Sequence, residues 1–170
     1  SRHSAATEAV GYGKTLMGFH MLRQQMGDDA FRQALGTFYK DYRGQRASFG
    51  DVRNVFEKVS GRGLGRFFDE WTNRTGAADL RVADVKVTAQ KQRYTVSGEI
   101  RQQQNGAYEL DVPVVVATAA GPVVTKVRSS DPVTSFSIET TAAPQTVAVD
   151  PAFDVFRILD PRETAPSIGQ

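Results

Sequence analysis

A chain of 170 residues with no cysteine, two histidines and a net charge of +2 excludes disulfide frameworks, thiolate metal sites and cysteine nucleophiles. A charge this close to neutral gives no electrostatic footprint for nucleic acid, and no apolar run approaches the ~20 residues of a membrane span. The length allows one ordinary domain or two small ones around a real core.

Up to about Thr75 the apolar residues recur at intervals of three and four. Leu16, Phe19, His20, Leu22 and Met26 predict one stripe of a helix running from about Gly11. Gly27 ends it, and Asp28 is placed to cap the next helix. That helix carries Phe31, Leu35, Phe38, Tyr39 and Tyr42, a wide amphipathic face. Ser48-Phe-Gly-Asp51 opens a third helix as a capping box with Asp in place of Glu or Gln. Val52, Val55, Phe56 and Val59 then carry its stripe to Gly61. Leu64, Phe67, Phe68 and Trp71 form a short fourth helix, ended near Thr75-Gly76. Short loops between four helices imply an antiparallel helical layer.

From Leu80 the period becomes two and β-branched residues dominate. Candidate strands are Leu80–Ala89, Arg93–Gln102, Tyr108–Thr118, Val123–Arg128, Val133–Glu139 and Thr146–Val149. Gln104-Asn105-Gly106, Ala120-Gly121-Pro122, Asp131-Pro132 and Ala143-Pro144 separate them with turn chemistry. Strands at this spacing, with no helix between them, predict an immunoglobulin-like β-sandwich. Pro113 falls inside a strand, which places it at an edge or a bulge. Fold class is therefore α+β in two parts: helices over residues 1–78, a sandwich over 79–160, and an extended tail or linker over 161–170. Charge divides at the same place, 12 Lys/Arg against 8 Asp/Glu before residue 78 and 9 against 11 after it. The arginines of the first half are scattered and read as solvated helix faces.

Most candidate motifs have a plain structural explanation. Gly61-Arg-Gly63-Leu-Gly65 joins two helices and is punctuation, since a phosphate-cradling loop follows a strand. Asn73-Arg74-Thr75 fits a glycosylation acceptor without further support. His3 lies in an unpatterned N-terminus, and His20 on an apolar stripe reads as a core histidine. A catalytic zinc needs three protein ligands, which two distant histidines without a His-Glu-x-x-His helix do not supply. Asp28-Asp29 and Asp69-Glu70 read as helix-end and solvated-face acids.

Two features remain. Gly11-Tyr12-Gly13-Lys14-Thr15 at a helix start precedes Leu16 to Leu22, and Phe67-Phe68-Asp69-Glu70-Trp71 leads into Thr75-Gly76-Ala77-Ala78-Asp79-Leu80. With Met26-Gly27-Asp28-Asp29-Ala30-Phe31 and Ser60-Gly61-Arg62 between them, this ordered set resembles the downstream part of the catalytic domain of zinc aminopeptidases of the membrane alanyl aminopeptidase family (gluzincins). There a Tyr-x-Lys-Gly turn starts a helix that ends in Leu-Gly-x-x-x-Phe, and a β-sandwich domain follows. The likeness covers residues ~10–80 by motif and 80–160 by order and pattern. It departs from the family where Thr15 replaces the glycine and Ala78 stands where a proline is common.

The resemblance implies a parent hydrolase in which zinc polarises the scissile carbonyl and activates water while a glutamate acts as general base. It assigns one catalytic role within this chain, to Tyr12, whose phenol would hydrogen-bond the oxyanion of the tetrahedral intermediate. No cofactor-binding or metal-ligating residue is assigned. The zinc-binding part lies upstream of the tyrosine in the family, so the chain reads as a fragment that is inactive alone. Its expected partners are the rest of the peptidase domain and, in the parent, a peptide substrate. A different class is also open: a non-catalytic binding or assembly module docking through the sandwich. Lack of cysteine is compatible with cytosol, periplasm or an exported bacterial protein, so localisation is unassigned.

Overall fold

The computed structural model describes residues 5–91 and 93–163. The chain divides into two compact units, Ser1–Gly76 and Ala77–Gln170. Within the described residues the first unit holds four helices, α1 (Ala5–Met26), α2 (Asp28–Tyr42), α3 (Phe49–Ser60) and α4 (Gly65–Phe68). A π-helical turn, Asp69–Asn73, continues α4.

α3 follows the expectation closely. The Ser48 hydroxyl accepts from Asp51 N at 3.3 Å, and the Asp51 carboxylate accepts from Ser48 N at 2.8 Å, closing the capping box. Gly61 ends the helix at φ 67°, a left-handed conformation that favours glycine, and donates to Glu57 O. The core of the unit comprises Leu22, Ala34, Val52, Phe56, Leu64 and Phe68, with Phe19, Phe31 and Phe38 packed against it. Phe31 and Phe56 meet edge-on with ring centroids 5.7 Å apart.

Four details differ from the sequence reading. α1 begins at Ala5, not near Gly11: the Ala-rich stretch before Gly11 propagates the helix through glycines that elsewhere punctuate one. Leu16 is 71% exposed and Leu35 and Tyr39 are also turned outward, so the buried faces are narrower than the apolar stripes. On α2 the small Ala34, fully buried, takes the place expected of Leu35 and Tyr39, because close helix approach selects a small residue. Asp28 is not the cap of α2; Gly27 is, and the Asp28 carboxylate instead takes the Arg23 guanidinium at 2.7 and 2.9 Å.

The second unit is antiparallel β structure. Its strands are β1 (Leu80–Gln90), β2 (Arg93–Gln102), β3 (Leu110–Thr118), β4 (Gly121–Ser129), β5 (Val133–Thr140) and β6 (Pro144–Val149). They form two three-stranded sheets, ordered β1-β2-β5 and β4-β3-β6. Val96, Ile100, Phe136 and Ile138 of the first sheet are buried, as are Leu110, Val112, Val114 and Val116 of the second. Period-two alternation sends these side chains to one face of each sheet. In β1 a bulge between Ala83 and Lys86 is marked by Asp84 at φ 52°.

Gln102, buried at the end of β2, stitches strand ends of the two sheets. Its Nε2 donates to Tyr108 O at 2.8 Å and to Ser129 Oγ at 3.0 Å, and its Oε1 accepts from Tyr108 N at 2.8 Å. A buried amide is tolerable because its donors and acceptor are satisfied in this way.

Pro113 does not stand at an edge. It lies in β3, the central strand of its sheet, opposite Lys126 of β4 and just before pairing with β6 begins at Val114. At that position no ladder bond to β6 is required of its nitrogen, while its carbonyl accepts from Asp150 N at 2.7 Å. After β6 the chain turns at Asp150, and Ile158 N donates to Ala78 O at 2.7 Å. The expected extended tail begins instead with a 3₁₀ turn, Pro161–Glu163, held by Glu163 on Arg157 at 2.7 Å; its remainder lies outside the described residues.

Candidate functional site

Tyr12 stands within α1, not at its start, and is 76% exposed. No hydrogen bond or ion pair joins it to another described residue. Its phenol is thus presented to solvent, open to whatever approaches that side of the helix. His20 is half-buried on the same helix, and His3 lies outside the described residues. Among the described residues no group of three His, Cys, Asp or Glu side chains is arranged to hold a metal ion.

Immediately beside Tyr12 in the chain, α1 forms one wall of a half-open pocket of about 210 Å³. Gly11, Lys14, Gly18 and Leu22 line it from α1, and Phe67 and Trp71 from α4 and the π-helical turn. Residues 11, 14, 18 and 22 share a helix face by their spacing. Added Cβ atoms at Gly11 and Gly18 would meet nothing within 4 Å, so the volume exists partly because two side chains are missing. Tyr12 is not among the lining residues.

Lys14 is the only charged residue among the described residues of that wall. Its ammonium donates to Arg74 O and stands 5.7 Å from the centroid of the Trp71 ring. Desolvation by burial, reinforced by the nearby Arg74 charge, holds its pKa below the usual lysine value. No carboxylate among the described residues pairs with it. Thr15 returns its hydroxyl to Gly11 O at 2.9 Å. Glu70, expected on a solvated face, is buried and takes Arg66 Nε at 3.0 Å; the longer π-helical turn brings it inward beside Trp71.

Sequence reasoning isolated the segment around Tyr12 but left Lys14 without a role and took Trp71 for core alone. The available signal was the pair Gly11 and Gly18, seven residues apart on one helix face.

No protein-family model matches the chain. Aminopeptidase N of Lactococcus lactis subsp. lactis is 30% identical over 88 residues, which is 49% of this chain and 10% of that protein. Tricorn protease-interacting factor F2 of Thermoplasma volcanium is 22% identical over 118 residues, 68% of this chain and 14% of that protein. Among solved structures, Legionella pneumophila aminopeptidase A, in complex with aspartic acid, superposes with a TM-score of 0.71 at 18% identity. That superposition covers 89% of this chain and 18% of the Legionella chain. The chain therefore spans between a tenth and a seventh of the length of these curated relatives.

Helices followed by antiparallel sheets, in this order, are the fold of part of an aminopeptidase. By sequence and fold together, the chain is similar to a part of proteins named aminopeptidase.

Proposed function

We propose that the chain is part of a zinc-dependent metallopeptidase that removes N-terminal residues from peptides. The observation that carries this reading is its sequence similarity to aminopeptidase N of Lactococcus lactis. Tyr12 is the catalytic residue within it: a neutral phenol donates a hydrogen bond to the oxygen that becomes negative as water adds to the scissile carbonyl. Its exposure and lack of an internal partner support that role. The described residues do not fit a zinc site, so zinc enters through the family alone, and no step of this proposal is routed through it.

Residues 1–78 then form the helical C-terminal part of the catalytic domain, and 79–160 the sandwich domain that follows it. The order β1-β2-β5 and β4-β3-β6 supports the immunoglobulin-like reading, because the second strand pairs with the fifth and the third with the sixth. Outward-facing Leu16 and Tyr39 support a helical surface covered by the rest of the peptidase domain.

Two measurements test this. In the longer protein carrying this chain, Tyr12→Phe lowers kcat by roughly 10²–10³-fold with zinc content unchanged; an unchanged kcat removes Tyr12 from the site. The 170-residue chain alone, supplied with zinc, does not hydrolyse an aminoacyl anilide. Turnover abolished by a chelator would refute its being an inactive part.

A further inference from the structure

We propose that the pocket between α1 and the Phe67–Trp71 segment binds a small apolar carboxylate, its hydrocarbon part between Gly18 and Trp71 and its anionic head on Lys14. The inference does not depend on the peptidase reading, since it uses none of the chemistry assigned to Tyr12.

Volume, wall chemistry and charge all favour that ligand. The pocket of about 210 Å³ exceeds the ~150 Å³ of an apolar cavity large enough to take benzene. A phenyl ring with a short alkyl chain therefore fits. Phe19, Leu22, Phe67 and Trp71 offer it apolar and aromatic surface. Gly11 and Gly18 keep the space open, with nothing within 4 Å of where their Cβ atoms would be.

The head group follows from Lys14. An ammonium has three donors, and one is committed to Arg74 O while the cation rests against the Trp71 ring. With no carboxylate among the described residues to neutralise it, this partly desolvated cation complements an anion and not a second cation. A neutral apolar molecule would gain the walls alone.

Trp71 is the only tryptophan of the chain and forms one of those walls, so its emission reports occupancy directly. The test titrates the 170-residue chain with 3-phenylpropanoate and, separately, with the uncharged 3-phenylpropanamide. A saturable change of Trp71 emission is expected with the acid, and binding of the amide is expected to be at least about tenfold weaker, as loss of a charge-assisted hydrogen bond requires. Lys14→Met binds acid and amide within about twofold of each other, and Gly18→Leu, which fills the gap, abolishes the response to both. Far-UV circular dichroism confirms that each variant is folded, and the acid–amide contrast in the native chain needs no variant. Absence of a saturable response to the acid, equal binding of acid and amide by the native chain, or discrimination that survives in Lys14→Met would overturn the proposal.

Discussion

Asp150 and Arg157 face each other where water does not reach, the carboxylate fully buried and the guanidinium nearly so. Burial pushes the Asp150 carboxyl above its ordinary pKa against the pull of Arg157 and of the Asp154 and Val155 amides. Burial also works against the Arg157 charge, but hydrogen bonds to Glu163 and Asp150 more than offset it. Removing one partner strands the other, so Arg157→Met should cost about 3–5 kcal/mol in urea unfolding at neutral pH. Because a raised carboxyl pKa favours the folded state below the unfolded value, the deficit should shrink as the pH is lowered toward about 4. Asp51 has the opposite sign. Hydrogen bonds from the Ser48 hydroxyl and amide hold its carboxyl below the usual range. Its contribution is present above about pH 4 and is lost as the pH falls through the depressed folded value. In Asp51→Ala the acid limb of helical-unit unfolding, followed by Trp71 emission, should therefore be flatter than in the native chain.

At the scale of elements, the pairing of β2 with β5 turns on one position without a side chain. Gly98 lies opposite Phe136, and a Cβ there would come 2.7 Å from Phe136 Cζ and 3.2 Å from Ala83 O. The ring occupies the space above the glycine, so Gly98→Ala forces ring and backbone apart. It should destabilise by about 1–3 kcal/mol, read as a lower urea midpoint of the β circular-dichroism signal. Strands were legible in the sequence because β-branched runs and turn pairs bracket them closely. α3 was legible because Ser48 and Asp51 state its start and Gly61 its end. The faces of α1 and α2 were not, since Leu16, Leu35 and Tyr39 are apolar yet exposed, and periodicity records only apolarity. Nor could the pattern choose Ala34 over its larger neighbours, because that choice is made by the closeness of another helix.

For the whole molecule, legibility differed between fold and site. Two units, one helical and one β, follow from the single change of period near residue 78, and the structure divides between Gly76 and Ala77. The proposal for Tyr12 rests only on the order of motifs on either side of it. The pocket was out of reach, because it is made of two absent side chains on α1 and of aromatics some fifty positions away. The β unit has a further property, which comes from its ends. It starts at Ala77, and its last described segment comes back to Ala78 through the Ile158 amide and a bridge from Arg157. A pull on the chain at these two ends would thus fall first on that short clasp. The ladders of both sheets would bear load only after it opened, so the clasp shields the sheets from a force applied at these two positions.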